Sequence, residues 1–435
     1  EFGLSAVFFF LVVAFFFLIS CALISAELAT GWPKSGGVYI WVREALGDRW
    51  GFFAIWMQWI HNVAWYPVIL SFVAGTLAYL ISPSLSHNKF FILSVILLGF
   101  WGMTFFNYFG IKTSSWFSTI GVIAGTITPG ILIISLGVIW ILGGRPTQME
   151  LSWDALIPEF KDISGLVFLA GLFLAFAGLE VSAGYASDVK NPRKNYPIAI
   201  VLAAIITFSL FMLGSLSIGA VIPKADISFV SGLMDACAIF FQYYQLTWIL
   251  PILAFLLVIG AIAEVNSWLI GPVKGLYTTS THGNLPLFFQ KVNKRNVPTR
   301  LLLFQAIIVS MAGFIFLYMP NVSSAFWILT ALSAQSYLIM YILMFVSAII
   351  LRYSKPHVPR AYKIPFKNKG IWLFSSLGIL TSLFVIALAF VPPAQLNTGN
   401  PWVYCTFLLS GLIFMCGIPF LIYACRKPNW IQKKH

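Results

Sequence analysis

Residues 174–188 read LAFAGLEVSAGYASD, and residues 189–197 continue as VKNPRKNYP. The stretch begins as an apolar helix, then carries Gly178 and the ionisable Glu180 in the middle of a hydrophobic run. In hydrocarbon every backbone group must find a partner, so an interrupted span is tolerated only where it lines a cavity or is buried in protein. The sequence therefore predicts a membrane helix that breaks near Gly178 and ends in a basic, proline-punctuated loop.

The composition of the whole chain is that of a membrane protein. Its 435 residues are 60% hydrophobic and only 9% charged. Apolar stretches of about 20 residues, enough to cross the hydrocarbon core as helix, recur along the whole length. We predict an all-α polytopic membrane protein with one transmembrane domain over residues 1–435. The eleven predicted spans are about 5–28, 51–82, 90–109, 113–142, 165–187, 197–222, 246–272, 300–320, 325–352, 372–392 and 402–425.

The distribution of basic residues predicts the orientation. A net charge of +13 does not indicate a nucleic-acid partner here, because the lysines and arginines lie in short loops between spans. If the loops after spans 1, 3, 5, 7 and 9 share one side with the C-terminus, that side holds all but four of the 26 lysines and arginines. The positive-inside rule makes that side, with the C-terminus, cytoplasmic, and the expected location is the inner (plasma) membrane. The four exceptions are Lys89, Arg145, Lys161 and Lys224.

The number of spans predicts a further helix. Eleven crossings that end in the cytoplasm place Glu1 outside, whereas a cytoplasmic N-terminus would need one more span. We therefore expect that another transmembrane helix precedes Glu1. A pocket that this helix would help to line should look open on that side.

Cofactor and enzyme chemistry are not indicated. The five cysteines are scattered without a CxxC pair, so neither a metal site nor a disulfide framework is predicted. An integral membrane enzyme should cluster His, Asp or Cys at one face, and a channel should carry filter-like repeats or rings of charge. The sequence has neither pattern, so we expect no catalytic residues and no cofactor.

Glu27, His61 and Glu180 are three of the ionisable residues in or beside the spans that need an explanation. A carboxylate at mid-membrane depth costs about 3 kcal/mol even on lenient insertion scales, so Glu180 should face a cavity or a partner. A functional role for Glu180 competes with a structural carboxylate bonded to a neighbouring helix. Glu27, at a span edge, fits a structural role better, satisfying loop amides or a basic neighbour. His61, in mid-span, fits a packing role.

Two pairs of residues have the spacing of one helix face. Glu264 and Trp268 are separated by four residues, as are Tyr337 and Tyr341, so each pair shares a face. An acid and an indole facing a cavity can hold a zwitterion, the acid by charge and the ring by cation–π contact. The alternative for Glu264 and Trp268 is a packed ring beside a buried acid. Aromatic residues spaced like the two tyrosines are more often core.

The chain resembles the amino acid–polyamine–organocation transporters. The segment around Ala263–Tyr277 is similar to the corresponding helix of bacterial glutamate/GABA antiporters. The other segments that carry the resemblance are Ala26–Glu27 leading into Pro33–Gly37, Phe176–Glu180 followed by Asn191–Pro197, and the proline-containing pairs Leu285–Pro286 and Val297–Pro298.

The resemblance implies a LeuT-type fold of twelve spans with two inverted five-helix repeats. Its substrate site lies between the broken first and sixth helices of the family. The span at 165–187 then matches the sixth helix, and the helix expected before Glu1 matches the first. The residues that this similarity assigns to substrate binding are Gly178, Glu180, Glu264, Trp268, Tyr337 and Tyr341.

The function implied is exchange of amino acids by alternating access. If the glutamate/GABA assignment holds, the protein imports glutamate or a similar amino acid and exports GABA or a related decarboxylation product. This exchange contributes to acid resistance because it removes cytoplasmic protons, and a soluble decarboxylase is the metabolic partner. The alternative is an exchanger or proton-coupled symporter of another amino acid or a cationic amine. The expected partners are thus small amino-acid substrates and the bilayer, and no oligomeric state is predicted.

Overall fold

The computed structural model describes residues 3–34, 36–108, 111–158, 163–182, 191–223 and 227–431. Within these ranges ten helices are long and apolar enough to cross a membrane, and a shorter apolar segment, Leu169–Ser182, is helical at both ends and interrupted at residues 177–178. The predicted all-α polytopic fold is therefore confirmed. The end of the predicted fifth span and the start of the basic loop, residues 183–190, lie outside the described residues. So do Lys161 and Lys224.

The helices are numbered here in chain order. They are α1 (Gly3–Gly31), α2 (Val38–Leu46), α3 (Asp48–Ile81), α4 (Lys89–Tyr108), α5 (Trp116–Leu142), α6 (Leu169–Phe176), α7 (Pro192–Val221), α8 (Gly232–Tyr243), α9 (Leu250–Thr281), α10 (Thr299–Tyr318), α11 (Val322–Ser354), α12 (Lys367–Leu388) and α13 (Pro401–Ala424).

Two helices extend beyond the hydrophobic runs that predict them. Helix α9 passes through Pro272 and continues to Thr281, where threonine hydroxyls such as that of Thr278 bond to backbone carbonyls of the preceding turn. Helix α7 already begins at Pro192, a residue that needs no backbone N–H at the first position of a helix. Hydropathy marks the part of a helix that lies in hydrocarbon, whereas the hydrogen-bonded helix continues outside it.

Helices α3 and α11 form the centre of the bundle. In the most apolar 18-residue stretch of each helix, 61% of the residues of α3 and 67% of those of α11 are buried. The corresponding shares are 6% for α7 and 11% for α13. The two central helices pack against each other, and α9 packs against α3. Polar side chains carried by α3, α9 and α11 can therefore meet in the interior, while α7 and α13 present apolar side chains to lipid.

A buried ion cluster joins α1 to the end of α11 and the loop that follows it. The Glu27 carboxylate accepts a hydrogen bond from Arg352 Nη2 at 2.5 Å and another from the backbone N–H of Ile364 at 2.9 Å. Arg360 Nε lies 3.5 Å from the same carboxylate. Glu27 therefore has the structural role that the sequence favours, bonded to basic neighbours and a loop amide.

Other contacts bring the basic loops to one end of the bundle. Lys355 pairs with Glu44 of α2, and Arg426, after the last helix, lies 3.5 Å from Asp48 at the start of α3. The side chain of Asn293 bonds to the carbonyl of Tyr108 at 2.9 Å. This end, called the basic end below, collects loops that the charge pattern groups together. Its assignment to the cytoplasm stays a prediction.

Candidate functional site

The chain breaks at Gly178, inside the bundle. Helix α6 ends at Phe176, Ala177 is extended, and Gly178 has a φ of +111°, which glycine adopts at little cost. Residues 179–182 then form a short 3-10 turn. Because the last carbonyls of a helix have no partner within it, the break exposes polar backbone groups in the interior.

The Glu180 side chain follows the break and is 1% exposed. Its carboxylate accepts hydrogen bonds from the hydroxyls of Tyr337 and Tyr341, and from Gln58 Nε2 at 3.0 Å. No ion pair to Glu180 occurs within the described part of the chain. Three neutral donors therefore hold this carboxylate, and α3 and α11 supply them.

Tyr341 also bonds to the broken backbone itself. The N–H of Gly178 donates to the Tyr341 hydroxyl at 2.7 Å. The four-residue spacing of Tyr337 and Tyr341 puts their ring centroids 4.9 Å apart on one face of α11. The two hydroxyls thus point to one side, as the spacing predicts, and both reach the break.

Aromatic rings cover the break from the other side. A Cβ atom on Gly178 would lie only 2.7 Å from Cη2 of Trp268. The Trp268 ring meets those of His61 and Tyr337 edge-on, with centroids 5.8 Å and 6.1 Å apart. Any side chain at residue 178 would therefore collide with the indole.

His61 is a packed residue with polar partners. Its ring stacks on Tyr337 at a centroid distance of 3.7 Å and an interplanar angle of 8°. Its Nε2 lies 3.0 Å from Asn62 Nδ2, which is a donor, and its Nδ1 lies 3.4 Å from the Ser333 hydroxyl. The contacts match the packing role that the sequence favours, and they fix the ring on which Tyr337 rests.

Glu264 faces a different space. It lies on the wall of a largely apolar cavity of 500 Å³ together with residues of α5, α6 and α7, and its carboxylate makes no hydrogen bond to any described residue. Glu180 instead lines a cavity of 220 Å³ that Lys274 also lines. Of the six residues that the sequence singles out, Glu264 alone is thus absent from the contacts around the break.

Gln58 and Lys274 are two polar residues near this site that the sequence analysis does not select. Gln58 is an amide in the middle of an apolar span, three residues before His61 and therefore on the same face of α3. That signal was sufficient to select it. Lys274 follows Pro272, where the hydrophobic run ends, so the sequence groups it with the loop charges, whereas α9 continues through it.

Comparison with known proteins identifies the family. A family model described as amino acid permease matches residues 2–413. The chain is 43% identical to an uncharacterised transporter of Legionella pneumophila, over 97% of this chain and 90% of the relative. It is 31% identical to a glutamate/gamma-aminobutyrate antiporter of Lactococcus lactis, over 97% and 84%. A probable agmatine/putrescine antiporter of the same species is 25% identical, over 95% and 87%.

These matches cover nearly all of the chain, including the break at Gly178 and the helices around it. They agree with the resemblance that the sequence motifs indicate. The chain therefore belongs to the amino acid permease family of the amino acid–polyamine–organocation superfamily, and it is a multi-pass membrane transporter of amino acids or amines rather than an enzyme.

Proposed function

We propose that the protein is an amino-acid antiporter that works by alternating access, with its substrate bound at the break around Gly178. The observation that carries the proposal is the break itself, a positive φ at Gly178 beside the buried carboxylate of Glu180. Interrupted helices of this kind form the substrate sites of many secondary transporters.

The chemistry around the break suits an amino acid. The C-terminal end of α6 carries the negative pole of the helix dipole, which favours an ammonium group. Glu180 and Lys274 line one cavity, so it offers one acidic and one basic side chain. A zwitterion can direct its ammonium group towards the α6 carbonyls and Glu180, and its carboxylate towards Lys274. Trp268 and Tyr341 then close over the ligand.

The finer assignment is exchange of external glutamate, or a similar amino acid, for internal GABA or a related decarboxylation product. It is supported by a relative named as a glutamate/gamma-aminobutyrate antiporter. In this role the protein lies in the inner membrane with its C-terminus in the cytoplasm, works with a cytoplasmic decarboxylase, and contributes to acid resistance. Under this assignment the substrate path contains the residues that resemble those of the antiporters, namely Glu180, Glu264, Trp268, Tyr337 and Tyr341. Glu264 then acts from its own cavity.

The second candidate is transport of a cationic amine or another amino acid. Two acidic side chains, those of Glu180 and Glu264, face cavities in the interior, which favours cations. A relative named as a probable agmatine/putrescine antiporter also supports it. The two candidates differ in whether the ligand must carry a carboxylate, and this is what Lys274 would recognise.

The test is counterflow in proteoliposomes containing the full-length protein. Labelled glutamate enters GABA-loaded vesicles, with unlabelled glutamate, GABA or putrescine as competitor. We expect competition by the carboxylate-bearing compounds, loss of uptake in Glu180→Gln, and weaker competition by both amino acids in Lys274→Gln. The matched control is Asp235→Asn, because Asp235 also accepts hydrogen bonds from a tyrosine, Tyr79, and from a serine hydroxyl.

Competition by putrescine alone would favour the second candidate. Unchanged exchange of every tested amino acid and amine in Glu180→Gln, in correctly folded protein, would contradict a substrate site at the break.

A further inference from the structure

An open groove of 520 Å³ runs along the outer face of α12 at the basic end of the bundle. Tyr353, from the last turn of α11, and Trp372, from α12, form its wall near the loop. Trp372 Nε1 donates a hydrogen bond to the Tyr353 hydroxyl at 3.0 Å, so the two rings are held together although each is about half exposed. The groove is independent of the site at Gly178.

The mouth of the groove is cationic. Asn368 and Lys369 line it, and both are exposed. Neither side chain has a hydrogen bond or an ion pair to another described residue. Lys363 and Lys367, nearby in the chain, are exposed and have no ion pair in the described ranges either.

Among the described residues, no carboxylate pairs with the lysines at this mouth. No Asp or Glu occurs anywhere after Glu264 in the sequence. The basic loop after α11 must therefore be neutralised by earlier segments or from outside the chain. Glu27 pairs with both Arg352 and Arg360, and Glu44 pairs with Lys355, so these acids are already engaged. The three lysines at 363, 367 and 369 remain.

Below the mouth, the groove is largely apolar, with Ser376 as a polar lining residue, and its length along α12 matches the thickness of one membrane leaflet. Lys369, Leu373, Leu377 and Leu380 are spaced by four, four and three residues, which places them on one face of α12. At about 1.5 Å per residue, the stripe is roughly 16 Å long. One leaflet contributes about half of the ~30 Å hydrocarbon core. An acyl chain lying on this stripe would reach from the headgroup level to the bilayer centre.

We propose that this groove binds an anionic phospholipid. The phosphate and the remaining negative charge of the headgroup lie at Lys369 and Asn368, and an acyl chain lies along Leu373, Leu377 and Leu380. Tyr353 and Trp372 flank the headgroup at the interface, where such amphipathic rings are enriched. A zwitterionic headgroup fits less well, because its own cation would meet a lysine-rich mouth without an acid.

Native mass spectrometry of the purified full-length chain tests the proposal. The detergent-solubilised protein is titrated with phosphatidylglycerol or phosphatidylcholine of the same acyl composition, and bound lipids are counted. We expect one tightly retained phosphatidylglycerol molecule. Its binding should weaken about fivefold in Lys369→Gln and about fivefold again when Lys367→Gln is added, since each lysine near an anionic headgroup contributes ~1 kcal/mol. Inorganic phosphate should not displace the lipid, because it lacks the acyl contacts.

The matched control is Lys294→Gln, which removes an exposed lysine from another loop at the basic end. Specific binding predicts no change in this variant. Equal losses of phosphatidylglycerol binding in Lys369→Gln and Lys294→Gln would overturn the proposal and indicate attraction by general surface charge. Equal retention of phosphatidylcholine, or a dimer whose subunits crosslink through α12, would also overturn it. Equal melting temperatures of the variants would exclude misfolding.

Discussion

The hydroxyl of Tyr341 donates a hydrogen bond to the carboxylate of Glu180, and both residues lie in the buried interior. The same hydroxyl accepts the N–H of Gly178 at 2.7 Å. One side chain on α11 thus satisfies both the acid that follows the break and a backbone group within it. Glu180 keeps Tyr337 and Gln58 as donors if this contact is lost, whereas the Gly178 N–H has no other partner among the described residues.

The first prediction concerns Tyr341→Phe. The variant leaves the Gly178 N–H without its partner, and an unsatisfied buried donor costs about 1–3 kcal/mol. We expect lower thermal stability in detergent and exchange in proteoliposomes that is slower by about five- to 150-fold, the factors that correspond to ~1 and ~3 kcal/mol.

The matched control is Tyr404→Phe. Tyr404 is equally buried, accepts a hydrogen bond from Trp327 Nε1 at 3.1 Å and donates one to the carbonyl of Ala389 at 3.0 Å. The Tyr404→Phe variant should have a lower melting temperature, but its exchange rate per folded molecule should be unchanged. Equal losses of exchange in both variants would show that Tyr341 matters only for folding.

The second prediction concerns Gly178→Ala. A φ of +111° is unfavourable for alanine by about 1–3 kcal/mol, and the new Cβ would lie 2.7 Å from the Trp268 ring. We expect loss of exchange and a lower melting temperature. In Gly102→Ala, a helical position with no other atom within 4 Å of the added Cβ, both should be unchanged or improved. An active Gly178→Ala transporter would contradict a substrate site that depends on this backbone geometry.

The break was predictable from the sequence because its causes are local. A glycine and an acid two residues apart in an apolar run predict an interrupted span, and the helix does end at Phe176, two residues before Gly178. The shared face of Tyr337 and Tyr341 is likewise a consequence of helical spacing. The role of Glu27 follows from its position at a span edge among basic loops.

The assembly of the site was not predictable in the same way. The bond from Gln58 to Glu180 joins residues 122 positions apart, and only the packing of α3 against the break produces it. Spacing puts Glu264 and Trp268 on one face, but it does not determine that Trp268 lies on Gly178 while Glu264 faces the 500 Å³ cavity. The inverted repeat and the helix expected before Glu1 remain predictions.

The third prediction compares two acids at the basic end. Glu27→Gln leaves Arg352 and Arg360 buried without a counter-charge, and breaking a buried pair in this way costs about 3–5 kcal/mol. Glu44→Gln removes the partly exposed pair with Lys355, for which about 0–1 kcal/mol is expected. Thermal unfolding in one detergent should give a much larger loss for Glu27→Gln. A similar small loss in both would mean that the buried cluster contributes little to stability.

The last prediction concerns pH. A hydrogen bond from Lys355 and its positive charge lower the pKa of Glu44 from its ordinary value of 4.5. Because the folded-state pKa is the lower one, the pair stabilises the protein fully above pH 4.5, and this contribution is lost as the pH falls through the folded-state pKa. The difference in melting temperature between the unmodified protein and Glu44→Gln should therefore be constant from pH 7 to about pH 5 and shrink towards zero below pH 4.5. Because exposed pairs are screened by salt, the difference at pH 7 should also shrink in about 1 M NaCl. If the difference in melting temperature instead grows as the pH falls, an ion pair between Glu44 and Lys355 is contradicted.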